Sequence, residues 1–525
     1  MTVNTPPQAN MSPARRGLMR SGLVVSAMTM LSRVMGLVRD VVVATFLGAG
    51  NGADAFFVAF KIPNFLRRLF AEGAFNQAFI PVLSEYSTQR SKQEIRELLN
   101  AVAGSLTAML ALITALAMLG APWLVWVFAP GFGRDPEKLA MTADMLRLTF
   151  PYLLLISLTA FSGSVLNTWN RFAVPAFTPV LLNISLIGAA LLLMPLMEEP
   201  AMALAWGVLI AGAAQLAFQV PFLLRLGLLP TPWPNFAHEG VKRILKLMAP
   251  ALFGVSVSQI NLLLDTVLAS LLVAGSVSWL YYSDRLVELP LGVFGVAIGT
   301  IILPALSKRH AEKSTEHFSA MLDWAIRVVL LLGVPAALAL AILAEPFLIT
   351  LFHYGAMTDH DIQMAAMSLR AYAFGLLAFM LIKVLAPGFF ARQDTKTPVK
   401  VGIIAMVANM VFNLILVWPL AHAGLALATA LSAFLNAGLL GYLLYRQKVL
   451  IFQPGWGRYA VQLGGGSALM SIALYLIAPD WQAWLAFELW QRIRWVAGLV
   501  VLGGGLYFAW LTAFGLRLRH FKMNS

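Results

Sequence analysis

Charged residues inside long apolar stretches are where this 525-residue chain could do chemistry. Arg33, Arg39 and Asp40 share the run SRVMGLVRD, Asp54, Lys61, Arg67, Arg68 and Glu72 follow, and Asp284, Arg285 and Glu288 lie far downstream. A charge at the centre of a bilayer costs about 2.5–3.5 kcal/mol, so it persists only against a cavity, a partner or the interface. On a helix Arg33 and Asp40 share a face, while Arg39 points about 120° away. Guanidinium forks match phosphate oxygens in bidentate fashion, so an inward arginine set implies an anionic, phosphate-bearing ligand. An exporter of organic cations would need acids and aromatics instead. Local pairing competes with this reading: Arg68 and Glu72 are i,i+4, and Arg285 and Glu288 are i,i+3. Span ends can also snorkel to water. Pairing explains less of Arg33, Arg39, Arg67 and Arg285 taken together, because the first span has two arginines for one aspartate.

A second polar set is nearly neutral. Ser258, Asn261 and Asp265 fall on one helix face, Asn409 and Asn413 are one turn apart, and Thr429 follows. One carboxylate with amide and hydroxyl oxygens suits a small hard cation. Hydrogen bonding between membrane helices uses the same residue types.

The elements that must carry these groups are membrane helices. Hydrophobic residues make up 60% of the chain and charged residues 12%, against about 45–50% and about 25% in soluble domains. That excludes a soluble enzyme. The chain reads as an all-α polytopic membrane protein with fourteen transmembrane helices between residues 22 and 515. There is no cysteine, hence no disulfide or thiolate chemistry, and neither an HExxH nor a Walker A pattern, hence no sign of ATP-driven transport. The net charge of +13 reflects loop lysines and arginines rather than nucleic-acid binding. With the N-terminus inside, 23 of the 37 Lys and Arg fall in inner segments and four in outer loops. Both termini are therefore expected in the cytoplasm, and residues 1–21 as a cytoplasmic tail rather than a cleaved signal.

An internal repeat recurs at a spacing near 223 residues: Ile80-Pro81-Val82-Leu83-Ser84 with Leu303-Pro304-Ala305-Leu306-Ser307, MTADMLR (141–147) with MAAMSLR (364–370), and Pro175 with Pro398. Asp40 and Ala49-Gly50 match Asp265 and Ala274-Gly275 at a spacing of 225. Six helices separate the copies, an even number, so the two lobes are expected to be parallel, with the functional site between them. The expected division is an N-lobe at 22–225, a cytoplasmic linker at 226–242, a C-lobe at 243–446, two further helices at 459–515 and a cytoplasmic tail at 516–525. Two facing lobes suit alternating access better than a channel.

The segment from Asp54 to Pro81 closely resembles the signature of the MurJ (MviN) family, as do Ser32-Arg33-Val34-Met35-Gly36 with Arg39-Asp40, and Tyr281 to Glu288. The likeness extends over about residues 20–515. It implies membership of the multidrug/oligosaccharidyl-lipid/polysaccharide exporter superfamily and a lipid II flippase of the bacterial inner membrane. By this resemblance Arg33, Arg39, Arg67 and Arg285 correspond to cavity arginines that engage the pyrophosphate. Asp40, Asp54, Lys61, Arg68, Glu72, Asp284 and Glu288 fall on secondary cavity charges. Asp265, Asn409, Asn413 and Thr429 resemble a sodium site of some members, with Asn413 where a carboxylate can occur. That neutral residue turns the expectation toward proton or membrane-potential coupling. No cofactor is expected. The implied partners are lipid II, membrane lipids and peptidoglycan-synthesis enzymes. The competing readings are a flippase of another polyprenyl-pyrophosphate glycan, a small-molecule antiporter, and a scaffold for cell-wall enzymes. A scaffold gains nothing from intramembrane arginines.

Overall fold

The computed structural model describes residues 13–312 and 314–516, with backbone alone at 13–21, 23, 70–72, 253–259, 261–262, 296–297 and 300. Most of the expected terminal tails, 1–21 and 516–525, falls outside the described residues and side chains. Every regular element described is helical. Among the described residues, nine helices are long and apolar enough to cross a membrane. One of them, Lys396–Arg446, is 51 residues long and bends at Ala421, whose φ is 47°, just after Pro419; it accounts for two of the fourteen expected spans. The nine do not include the helical stretches in 13–47, 51–89, 239–270 and 276–311, which carry the intramembrane charges. These four are the expected spans 1, 2, 7 and 8, two repeat-equivalent pairs.

Helix starts and stops follow local chemistry. Ser91 caps Lys92–Leu119 and Thr358 caps Asp359–Phe390, each closing a reciprocal box with an acid three residues on. Gly227 ends Pro200–Leu226 at φ 64°, which a side chain would strain. Two interruptions are more telling. Arg68–Phe75 and Leu291–Gly295 are π-helical, and their first residues are one repeat apart. Each sits in mid-span and precedes a repeat-equivalent proline, Pro81 or Pro304. An inserted π turn re-aims the side chains that follow and is common at functional sites.

The backbone divides into two units. The first comprises the chain through Val43, Ala59–Leu124 and Met141–Val255. In it Pro151–Thr168 packs on Pro200–Leu226, which also packs on Ala173–Gly188. Its extended stretch after Leu226 is strapped to helix Lys92–Leu119: Thr231 N–H donates to Asn100 Oδ1 at 2.8 Å and Asn235 N–H to Ser105 Oγ at 3.1 Å. Gly104 permits this, since a Cβ there would collide with the backbone of Trp233.

The second unit comprises Ala44–Val58, Val125–Ala140 and the chain from Ser256 on. Asp359–Phe390 is its central helix, packed against Lys396–Arg446 and Thr315–Ile342. The contact is backbone-close: a Cβ on Gly375 would stand 2.7 Å from that of Ala430, as expected where small residues let membrane helices approach. The C-terminal helices Trp456–Ile477 and Leu489–Ala513 pack on each other and on Thr315–Ile342. The first is tied there by the buried Asp323, which accepts from Trp456 Nε1 at 2.7 Å and from Arg327 Nε at 2.8 Å, and the second by the Tyr507 hydroxyl, which donates to the Leu331 carbonyl at 2.8 Å.

Candidate functional site

In the first unit Arg39 turns onto its own neighbour. Its Nε and Nη2 donate to Asp40 Oδ1 at 3.0 and 2.7 Å, and its Nη1 donates to Asn183 Oδ1 at 3.1 Å. Asn183, on helix Ala173–Gly188, donates in turn to the carbonyl of Ser32 at 3.1 Å. Arg39 is 8% exposed and Asp40 2%. Arg33, less than two turns earlier, is exposed within the unit. Arg67 is half-buried and donates through Nε to Asn64 Oδ1 at 2.8 Å, one turn back. It ends the α-helix, and the exposed Arg68 begins the π-helical segment. Lys61 is half-buried. The side chain of Glu72 lies outside the described residues, and so does its expected pairing with Arg68.

In the second unit Arg285 is half-buried on helix Ser276–Pro290. It pairs with Glu288 at 2.7 Å, donates to the Tyr281 hydroxyl at 3.2 Å and lies 5.0 Å from the centre of that ring. Tyr281 is stacked on Phe57 with ring centres 4.0 Å apart. Asp284 and Glu288 are both exposed within the unit. Local pairing is therefore what the structure makes of Arg285 and of Arg39; the expectation that nearby acids are too few to meet them does not hold for these two. Glu288 remains 48% exposed, so the Arg285 pair is a wet one.

Asp54 behaves differently from the other cavity charges expected with it. It is 1% exposed and accepts four hydrogen bonds: from Lys138 Nζ at 3.1 Å, Gly275 N–H at 2.8 Å, Ser278 N–H at 3.0 Å and Ser278 Oγ at 2.7 Å. A carboxylate at a helix start accepts orphan N–H groups and meets the positive end of the helix dipole. Here the helix is Ser276–Pro290, the one that carries Arg285. Lys138, an outer-loop lysine by sequence, is 7% exposed and also lies over the Phe132 ring at 4.1 Å.

Four residues of the second polar set come together, as the resemblance implied. Asp265 Oδ1 accepts from Asn409 Nδ2 at 3.2 Å and Asn413 Nδ2 at 2.9 Å, and its Oδ2 accepts from Thr429 Oγ1 at 3.2 Å. Asn409 and Asn413 are fully buried, and the Oδ1 of Asn413 has no hydrogen-bond partner among the described residues. The side chains of Ser258 and Asn261 lie outside the described ones. This oxygen inventory fits a small monovalent cation, since an amide turned about its last bond presents oxygen in place of nitrogen.

Sequence reasoning passed over Lys138, Ser278 and Asn183 as site residues, and named Tyr281 only as part of a motif. The repeat flagged Gly275 but not Ser278, three residues on, and a lone asparagine in an apolar stretch was the available sign for Asn183.

These features define a multi-pass, all-helical membrane protein of the transporter type. A multidrug-resistance MATE-family transporter of the MOP superfamily, in an inward-facing conformation, has the same fold at a TM-score of 0.65 and 14% identity, over 81% of this chain and 98% of that one. More narrowly, the chain belongs to the MurJ family, whose model, described as lipid II flippase MurJ, matches residues 43–493. Relatives named probable lipid II flippase MurJ are 49% identical in Haemophilus influenzae, over 94% of this chain and 99% of that protein, and 48% identical in Vibrio cholerae, over 96% and 98%. A solved structure of lipid II flippase MurJ, in an inward closed conformation, matches at a TM-score of 0.80 with 26% identity, over 94% of this chain and 98% of that one.

Proposed function

We infer that the protein is a flippase of lipid II, the undecaprenyl-pyrophosphate-linked precursor of peptidoglycan, and carries its headgroup from the cytoplasmic to the periplasmic leaflet. The observation that carries this is the family match across residues 43–493, joined to the arginines of the helical stretches in 13–47, 51–89 and 276–311. Arg33, exposed in its unit, and Arg67 and Arg285, half-buried, have guanidinium surface to offer phosphate oxygens. Arg39, the fourth of the set, is spent on Asp40. Lys61, Arg68, Asp284, Glu288 and Glu72 surround the same helices as secondary charges, and the polyprenyl tail stays in lipid. Moving a lipid between leaflets makes and breaks no covalent bond, so this is transport rather than catalysis.

The arrangement that supports such a cycle is fourteen spans, as two six-helix lobes at 22–225 and 243–446, the linker 226–242 and the helices at 459–515. Both termini are cytoplasmic and the membrane is the bacterial inner membrane, which the 23-to-4 division of basic residues supports. Alternating access of the lobes then exposes the headgroup to either side. Asp265 with Asn409, Asn413 and Thr429 is the coupling site; these residues would hold a sodium ion, whose gradient supplies driving force, and the same carboxylate can instead carry a proton. Peptidoglycan-synthesis enzymes would take the product on the outer face.

The test is transport of fluorescent lipid II in liposomes holding the purified chain, with other polyprenyl-pyrophosphate glycans as competitors. Flipping of lipid II at rates well above protein-free liposomes, and poor competition by the other glycans, is the expected result. Equal transport of unrelated glycans would make the protein a broader polyprenyl-pyrophosphate flippase.

A further inference from the structure

Helix Asn51–Arg67 grips helix Ser276–Pro290 at two successive turns. Asp54 meets Ser278 at the first, and three residues on in both helices Phe57 meets Tyr281. These two rings are stacked, with centres 4.0 Å apart and planes 22° from parallel. Phe57 is 6% exposed and also packs edge-on against Tyr282 at 5.7 Å, so the stack has a firm base. Arg285 follows Tyr281 by one turn of helix. Its Cζ lies 5.0 Å from the centre of the Tyr281 ring, within the range of a cation–π contact. Its Nη2 donates to the Tyr281 hydroxyl at 3.2 Å, and its Nη1 donates to Glu288 Oε2 at 2.7 Å. Ring and hydroxyl of one tyrosine therefore both bear on the guanidinium.

We propose that Tyr281 is a positioning residue, which holds the Arg285 guanidinium at the angle where its fork meets phosphate oxygens and so sets the affinity for the headgroup. This rests on the reading of Arg285 as a headgroup ligand. A free arginine side chain loses much rotamer freedom when it grips a ligand. Here the stacked ring and its hydroxyl have already restrained it, so less is lost on binding. Glu288 restrains it less well, because that carboxylate is 48% exposed and the ion pair is wet. It also opposes an incoming anion, since like charges repel. The phenol is neutral and carries no such penalty. Phe57 acts one step further back, as the surface against which the Tyr281 ring is set.

A double-mutant cycle separates this role from packing, read as the affinity of the purified chain for fluorescent lipid II in detergent. Tyr281→Phe keeps the ring on Phe57 and loses the hydroxyl; it should weaken binding by about fivefold, the scale of one hydrogen bond. Tyr281→Leu loses ring and hydroxyl together and should weaken it by about tenfold or more. With Arg285→Ala already in place, neither change should weaken binding further. Thermal unfolding shows which variants are folded, and Tyr281→Phe, which keeps the stack, carries the test if Tyr281→Leu is not. The proposal is overturned by a folded Tyr281→Phe variant of native affinity, or by a loss from Tyr281→Phe that is as large beside Arg285→Ala as in the native chain. Native affinity in Arg285→Ala alone would remove Arg285 from the headgroup site, and the role of Tyr281 with it.

Discussion

Asp54 Oδ1 accepts both the backbone N–H and the hydroxyl of Ser278, at 3.0 and 2.7 Å, across 224 residues of chain. The same carboxylate caps the first turn of the helix that ends in the Arg285–Glu288 pair, so a residue on the Asn51–Arg67 helix sets the start of a helix from the other half of the sequence. Only a fully desolvated acceptor with four donors can impose that much geometry, because every alternative leaves a buried polar group unsatisfied.

Removing it should therefore be costly. Asp54→Ala leaves Lys138 buried without its carboxylate, and breaking one side of a buried pair costs about 3–5 kcal/mol. Asp54→Ala combined with Lys138→Met should regain part of that loss, because the orphaned charge is gone. Thermal unfolding in detergent measures both. Because the native chain has no cysteine, Ser278→Cys can report on the same contact, with faster maleimide labelling expected in the Asp54→Ala background.

Arg33 and Arg285 are predicted to fail by charge and by shape respectively. Arg33→Ala should abolish complementation of a flippase-depleted strain at normal membrane expression. Arg285→Lys keeps the charge but loses the planar fork that spans Glu288 and the Tyr281 hydroxyl. A loss of about 1.5–3 kcal/mol in ligand contact corresponds to at least about tenfold in transport. Full activity of both variants would remove these two residues from the headgroup site.

Much of this was written in the sequence, and the exceptions have a physical pattern. The all-helical class follows from apolar content, and the repeat offset brings Asp40 into register with Asp265 and relates the π-helical segments that begin at Arg68 and Leu291. The cluster of Asp265, Asn409, Asn413 and Thr429 was legible through the family resemblance, and hydrogen bonding between membrane helices gives such polar residues their partners. What the sequence could not separate is a charge that stays exposed from one that turns onto its neighbour: Arg33 and Arg39 look alike in a string. Lys138 was hidden for the opposite reason, since a lysine in an outer loop is ordinarily solvated and nothing local signals that Asp54 lies across from it.

His422 supplies a pH prediction. It is 3% exposed, with Trp279 at 4.9 Å between ring centres, and its Nε2 lies 2.9 Å from the Met364 carbonyl. Burial holds its pKa below the ordinary histidine value; the Met364 contact opposes this and the nearby His360 adds to it. The unfolded chain then binds the proton more readily than the folded one, so this contribution is fully present above about pH 6.5 and is lost as pH falls below it. His422→Gln keeps a donor for Met364 and removes the titration. Its melting temperature should fall less between pH 7.5 and 5.5 than that of the native protein. Parallel curves would place the pH sensitivity elsewhere.

The last prediction concerns coupling at Asp265. Its oxygens accept from two amide nitrogens and a hydroxyl, so a sodium ion can enter only after Asn409 and Asn413 turn their oxygens inward and give up those bonds. Asn413 brings no charge to offset that loss, which leaves a single carboxylate to attract the ion. A proton asks for less, since a protonated carboxyl can donate to the Asn413 Oδ1, which has no hydrogen-bond partner among the described residues. Transport in liposomes at fixed membrane potential should therefore respond to pH at constant sodium and stay flat as sodium is varied at constant pH. Asp265→Asn should abolish the pH response, because an amide cannot exchange that proton. A rise with sodium at constant pH and potential that disappears in Asp265→Asn would make the site a sodium site instead.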